Sequence, residues 1–416
     1  MNHPVSTGSD VRRPLKPERL LRLGRPAGGK SAVYQATDAF RAAGGDDRTA
    51  KRFAATATAP RVGYLSWVRA IAAGEVIVWH SDLITKHFSH STVDVWGYHS
   101  IGAVGVEIFF VLSGYIMCMR AASYKNGVQY LIARLVRLIP MYWLFTTAVI
   151  AAYLVNSHWR LGNFDLSVFT LLRSYLMLPS WGFPILSVGW TLEYEMIFYS
   201  FVALLAVGAR SLTATTRTNL FGVMIALGLG GMLLPGGESG EVGPLASPVS
   251  HILSPYMLIF AAGWLIRIVE ENGGIGPNWR TIVGFLTIFS LGLSQGTPFG
   301  VHLGIRAALA TSCFLLFQLG RELFQINNPV NRFVCRVGEA SYSIYLSHWF
   351  VLSIIGKLLG VLSPPEAAAW PLRVLGMAAG LGVGLGAFSL LEQPIDRFLR
   401  ARLFRSRVAA SSRTQV

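Results

Sequence analysis

Charge is what this sequence has least of. Only 14% of its 416 residues are Asp, Glu, Lys or Arg, against roughly 25% in ordinary soluble domains. Acidic residues are the scarcer kind, 21 against 36 basic ones. With 52% hydrophobic residues, that balance excludes an ordinary soluble globular domain. Three cysteines, Cys118, Cys313 and Cys335, stand without CxxC or metal-ligand spacing, so no disulfide framework, zinc site or redox motif is expected. No Walker A loop, no GxSxG elbow in a strand–helix setting and no HExxH is present. ATPase, serine-hydrolase and metalloprotease readings lose their support accordingly. Residues 1–60 lack an apolar h-region, and a cleaved signal peptide is not expected.

What is there instead is a series of apolar runs near twenty residues long, the length a helix needs to cross a bilayer. Ten segments are predicted: 62–83, 101–119, 138–156, 186–208, 219–235, 251–269, 281–295, 301–319, 341–361 and 371–391. Helices of this kind satisfy their own backbone polar groups in lipid, so the expected fold is an all-α integral membrane protein, a bundle of about ten transmembrane helices. Basic residues sit between the runs and at the ends, not along one face, which argues against a nucleic-acid partner. Arg120, Lys125, Arg134 and Arg137 fall in one loop, Arg210 and Arg217 in the next of the same side, then Arg267 and Arg280, then Arg321, Arg332 and Arg336. Loops of the other side are poor in Lys and Arg: 84–100 holds only Lys86, and 236–250 and 362–370 hold none. Loop 157–185, with Arg160 and Arg173, is the partial exception. By the positive-inside rule both termini are cytoplasmic. The domain plan is a flexible basic extension over 1–60, a membrane domain over 61–395 and a basic tail over 396–416. Twelve Lys or Arg between Arg12 and Arg61 suit contact between the extension and anionic lipid.

The run Arg61–Ile84 carries three ionisable residues, Arg69, Glu75 and His80. Such residues are expensive at membrane depth and mark functional sites by default. Arg69 and His80 are roughly three helical turns apart, so they share a face about 16 Å apart along the axis, and Glu75 points elsewhere. With the orientation above, Arg69 lies in the cytoplasmic half and His80 near the outer surface. His titrates near neutral pH and serves as a general base, which Arg does not. Arg134 and Arg137 form an i, i+3 pair at the cytoplasmic boundary, and paired guanidinium forks suit phosphate as well as plain topology anchoring. Glu193 and Glu195 in WTLEYEMIFY face different directions, so at most one joins a shared cavity. Glu107 opens the second segment and His348 lies about two turns into the ninth. Gly376, Gly380, Gly382, Gly384 and Gly386 crowd the last segment at small-xxx-small spacing, which permits close helix packing. Pro140 is expected in the first turn of the third helix, with Tyr142 and Trp143 beside it as interfacial anchors.

These motifs in this order resemble the membrane-bound acyltransferase family 3, bacterial O-acyltransferases of exopolysaccharides, O-antigens and related glycans. The resemblance covers residues 61–397. Arg69 and His80 fit the family's Arg-x10-His signature, and GVEIFFVLSGY (105–115) is similar to GVDLFFVLSGF, with Glu107 in place of the usual Asp. RLVRLIPMYW (134–143) is similar to the Arg-x-x-Arg stretch. WTLEYEMIFY (190–199) is similar to WSLxxExxFY, which selects Glu195 over Glu193, with Thr191 where the pattern has Ser. SYSIYLSHW (341–349) and LEQP (391–394) fit the late motifs. No SGNH-type domain is expected after the tenth segment, and the resemblance is to the single-domain exopolysaccharide type.

The resemblance implies transfer of an acyl group, most often acetyl from acetyl-CoA, to a carbohydrate hydroxyl in the bacterial inner membrane. It makes His80, Arg69 and Glu195 the expected catalytic residues and Arg134, Arg137 and Arg69 the expected donor-binding ones. His80 would act as base or acyl carrier, Arg69 would line the pantetheine path or polarise the thioester, and Glu195 would orient His80 or the sugar. Glu107, His348 and Trp190 are the expected acceptor contacts. No metal and no permanently bound cofactor is expected. The partners are acetyl-CoA, a glycan acceptor, membrane lipid and polysaccharide assembly proteins. The competing reading from another class is a secondary transporter or flippase with the buried Arg, His and Glu as a proton relay. A structural subunit of a polysaccharide synthesis complex is a third.

Overall fold

The computed structural model describes residues 63–83, 104–121, 124, 127–156, 165–179, 182–208, 213–232, 248–273, 299–325, 328–363 and 365–404. Among them every regular element is a helix. The chain begins with α1 (63–83), α2 (Val104–Ala121) and α3 (Gly127–Val155). A short α4 (Val168–Tyr175) and a 3₁₀ turn (Ser187–Gly189) lead into α5 (Trp190–Gly208). Then come α6 (Ala214–Met232), α7 (Pro248–Ile252), α8 (Tyr256–Glu271) and α9 (Phe299–Leu319). A 3₁₀ turn (Arg321–Gln325), α10 (Pro329–Glu339) and α11 (Ser341–Leu362) follow. The last stretch is α12 (Glu366–Ala387), a π turn (Phe388–Glu392) and α13 (Gln393–Phe404).

Among the described residues, five stretches are long and apolar enough to cross a membrane: Val104–Ala121, Gly127–Val155, Pro248–Glu271, Ser341–Leu362 and Trp370–Leu403, with Leu303–Leu319 a shorter apolar helix. The expected segment 281–295 lies outside the described residues.

Helix α1 runs through the middle of the packing. Tyr64, Leu65, Val68 and Ala72 belong to one apolar cluster with α2, α5, α6, α8 and α9. Val76 belongs to a second cluster with α3 and the 185–192 stretch, and Ala70, Ala73 and Ile77 to a third with α10 and α11. A helix with apolar partners on every side is an interior helix. At its start Tyr64 donates to the Tyr115 hydroxyl (2.9 Å), which donates to Glu270 (2.5 Å). Glu270 also receives Arg267 at 2.6 Å and Arg321 at 3.3 Å, so one carboxylate gathers α1, α2, α8 and the turn after α9.

Helix α2 lies against α8 almost backbone to backbone. A Cβ built on Gly114 would sit 2.1 Å from the Phe260 carbonyl oxygen, and one on Gly263 1.8 Å from that of Val111. The last helices repeat the device. Gly376, Gly380 and Gly384, four residues apart, face α11: a Cβ on Gly384 would meet Ile344 Cα at 2.6 Å, and one on Gly380 the Cβ of His348 at 3.7 Å. The expected close packing is therefore present, but it uses three of the five glycines, for Gly382 and Gly386 have nothing within 4 Å.

Two local expectations are corrected. Pro140 lies inside α3, not in its first turn, because the arginine stretch before it is helical too. Its missing N–H leaves the Val136 carbonyl without the i+4 donor of a regular helix. Tyr142 is fully buried while Trp143 is 44% exposed, so only Trp143 is placed as an anchor would be. Its indole donates to the Tyr175 carbonyl at 2.8 Å.

The glycine geometry yields a test of opposite signs. Gly384→Ala forces α11 and α12 apart and lowers stability by about 1–3 kcal/mol. Gly382→Ala, with open space and a better helix former, raises it by about 0.5–1 kcal/mol. Thermal unfolding of the detergent-purified chain distinguishes the two.

Candidate active site

Arg69 comes from the first half of α1, Arg134 and Arg137 from the second and third turns of α3, and Glu195 from α5. All four line one cavity of about 100 Å³, together with Ser113, Thr191, Tyr199, Tyr342 and Tyr345. The carboxylate is pinned on one oxygen: Ser113 Oγ donates to Glu195 Oε1 at 3.0 Å and the Tyr199 hydroxyl at 2.6 Å. Arg134 is 8% exposed, lies over the Tyr130 ring with Cζ 5.4 Å from its centroid, and has no partner for Nε among the described residues. Three guanidinium groups against one carboxylate give the cavity walls an excess of positive charge, with fork-shaped donors that match carboxylate or phosphate oxygens.

A second cavity, of about 420 Å³, lies on the other side of Arg69 and Arg137, which line both. Its remaining wall is built by Val136, Pro140 and Met141 of α3, by Glu339, and by Phe388, Glu392, Gln393, Ile395, Asp396, Arg397 and Arg400. The gap in the α3 hydrogen-bond ladder thus opens beside it. Glu392, brought inward by the π turn, is 8% exposed and accepts from Ser343 Oγ at 2.6 Å. Arg400 holds Asp396 with Nε at 2.6 and 2.8 Å.

His80, three turns along α1 from Arg69, meets α11. Its Nδ1 is 3.0 Å from the Val76 carbonyl and 3.1 Å from Nε2 of His348. The Trp349 ring stands edge-on to it, centroids 5.3 Å apart. His348 is fully buried, and its other nitrogen, Nδ1, is 3.1 Å from the Ile344 carbonyl. Tyr345 joins this pair to the first cavity, since it lines that cavity and its ring centroid is 5.9 Å from that of His348. The Tyr345 hydroxyl donates to the Val188 carbonyl at 2.7 Å and lies 2.8 Å from Thr191 Oγ1.

The structure therefore brings Arg69, Arg134, Arg137 and Glu195 around one space and joins His80 to it through Tyr345 and His348. It is His348 that is hydrogen-bonded to His80, while Glu195, expected to orient His80 or the sugar, accepts from Ser113 and Tyr199. His348 in turn faces His80 and lines neither cavity. Glu107 and Trp190 lie elsewhere: Glu107, 1% exposed, pairs with Arg306 at 3.4 Å, and the Trp190 ring packs on Tyr194 and Tyr256. Glu193 is paired with His251 at 3.2 Å, away from the cavity, as the two-residue spacing from Glu195 requires. Ser113, Tyr199, Tyr345 and Glu392 were not singled out beforehand. All four lie inside the quoted motifs, but only the packing shows which neighbours they hold.

Comparison with protein families decides the class. The model of an acyltransferase domain matches residues 62–388. The chain belongs to this acyltransferase family. The matched stretch holds every residue of the two cavities up to Phe388, and His80 and His348 as well. Among curated proteins, the exopolysaccharide production protein ExoZ of Rhizobium meliloti (strain 1021) is 29% identical over 322 residues, 74% of this chain and 93% of that protein. A putative acetyltransferase, ORF330, of Acidianus two-tailed virus is 26% identical over 285 residues, 65% of this chain and 80% of that one. No solved structure matches the acyltransferase significantly.

Replacing Tyr199 by Phe removes the shorter of the two donors to the cavity carboxylate. A hydrogen bond to a charged group contributes about 1.5–3 kcal/mol. Tyr199→Phe is expected to destabilise the protein by that order in denaturation, and Ser113→Ala, with the longer bond, by less.

Proposed function

We propose that this acyltransferase moves an acetyl group from cytoplasmic acetyl-CoA to a hydroxyl of an extracytoplasmic or lipid-linked glycan, in the production of an exopolysaccharide. The reading rests on one observation above the others: an arginine-walled cavity bounded by Arg69, Arg134, Arg137 and Glu195, with an imidazole pair joined to it through Tyr345. The name of the ExoZ relative supports the glycan class, and that of the viral relative supports acetyl as the group. The Lys and Arg bias of the loops supports cytoplasmic termini, a bundle of about ten spans and a place in a bacterial inner membrane.

With that orientation the larger cavity opens toward the cytoplasm and receives the phosphate-bearing end of the donor. Arg134 and Arg137 hold phosphate oxygens. The pantetheine arm passes Arg69, which lines both cavities and adds a cation along its path. His80, on the outer side, takes the proton of the acceptor hydroxyl through Nε2 as general base. The hydroxyl oxygen bonds to the acyl carbon, the carbon–sulfur bond breaks, and the coenzyme thiolate recovers the proton from the imidazolium. Glycan acceptor and assembly proteins of the polysaccharide pathway are the implied partners, with lipid around the bundle.

His80→Ala is expected to lower labelled acetyl transfer about 10²- to 10⁴-fold while keeping acetyl-CoA affinity. Unchanged transfer in that variant overturns the assignment. The double variant Arg134→Ala, Arg137→Ala is expected to bind acetyl-CoA at least about tenfold more weakly, equivalent to about 1.4 kcal/mol, in titration calorimetry. Parental affinity there reduces the pair to topology anchors.

A further inference from the structure

The geometry points to His348 as the positioning residue that, together with the Val76 carbonyl, holds the tautomer of His80, an inference that rests on the reading of His80 as the base. Each ring presents Nδ1 to a backbone carbonyl of its own helix, His80 to Val76 at 3.0 Å and His348 to Ile344 at 3.1 Å. A carbonyl oxygen only accepts, so a bare Nδ1 there would oppose lone pair to lone pair; both Nδ1 atoms carry the proton when the rings are neutral. His348 Nε2 is then bare, and it lies 3.1 Å from His80 Nδ1. The His80 N–H is thus shared between Val76 and His348, and His80 Nε2 carries the free lone pair. The reverse arrangement, His348 Nε2–H donating to a bare His80 Nδ1, puts that nitrogen's lone pair against Val76.

The consequence for proton transfer is direct. Only Nε2 of His80 is available to accept a proton, and among the described residues no side chain is hydrogen-bonded to it. When it accepts one, the positive charge spreads to Nδ1–H, which already has two acceptors aimed at it. A neutral imidazole thereby fills the place that a carboxylate holds in an acid–histidine pair, and it does so in an apolar setting without adding a buried negative charge. The packing holds the partner in register: His348 is fully buried, and its helix is seated at Gly380 and Gly384, where α11 and α12 touch.

Two measurements on the full chain in lipid nanodiscs test this. The first is the ¹⁵N spectrum of histidine-labelled protein, with His80→Ala used to identify the His80 signals. The expected result is a protonated Nδ1 and a bare Nε2 on His80 at neutral pH, and a larger share of the other tautomer in His348→Leu, where the Val76 carbonyl alone holds the proton. A protonated Nε2 and bare Nδ1 on His80 in the parent overturns the inference, and needs no folded variant. The second is transfer of labelled acetyl from acetyl-CoA to polysaccharide of the producing cells, stripped of esters by base. His348→Leu is expected to lower kcat about 10- to 100-fold with the KM for acetyl-CoA unchanged. His348→Gln, whose Oε1 also accepts from His80, is expected to restore most of that loss. Parental kcat in His348→Leu overturns the inference, as does a His348→Gln variant no better than Leu. Should His80→Ala transfer normally, it is the base reading that fails, and the spectrum still judges the pairing.

Discussion

The constraint on which the rest depends is the cost of polar and ionisable groups at membrane depth. Arg69, Glu75 and His80 share one helix, α1, in a chain of which only 14% of the residues are charged. Such a helix is stable only where its neighbours exclude lipid from it. The structure meets that demand by enclosing α1 within three apolar clusters. Everything chemical then follows from which neighbour faces which turn of α1. The Arg69 turn faces α3 and α5 with their arginines and Glu195. The His80 turn faces α11 and His348. The Glu75 turn approaches α2, where a Cβ on Gly105 would come within 3.0 Å of Glu75 Cβ.

Enclosure needs close helices, and close helices need small side chains at the crossings. Gly114 and Gly263 let α2 and α8 meet at their backbones, and Gly376, Gly380 and Gly384 let α12 settle on α11. In lipid there is little hydrophobic force between helices, so contact of this kind is the main source of packing energy. The same contacts carry function at second hand, since Gly380 and Gly384 seat the segment that presents His348. The Tyr64–Tyr115–Glu270 chain at the other end of α1 does comparable work with hydrogen bonds. Fold stability and site geometry are therefore not separable along α11 and α1.

Much of this was legible in the residues. The apolar runs anticipated α2, α8, α9, α11 and α12 to within a few positions, because length and hydropathy are local properties. The Arg69–His80 spacing, the Arg134–Arg137 pair and the choice of Glu195 over Glu193 rest on helical periodicity, which one helix satisfies by itself. The errors have the same origin. Pro140 was expected at a helix start because charge ends an apolar run, yet charge does not end a helix. Tyr142 was expected at an interface because it stands beside Trp143, but neighbours in sequence point about 100° apart on a helix, and one of the two turned inward.

What the sequence by itself determined was the class of chain, the positions of most helices and the list of residues expensive enough to need a reason. Tertiary structure alone decided the partners. His348 and His80 are 268 positions apart, and no periodicity relates them; their contact exists because α12 glycines let α11 lie where it does. The division of the arginine site into two cavities meeting at Arg69 and Arg137 is likewise a product of packing, with the Pro140 gap and the π turn at Glu392 shaping one wall. Local chemistry limits which side chains tolerate a site. Only the crossing of distant helices sets which of them touch.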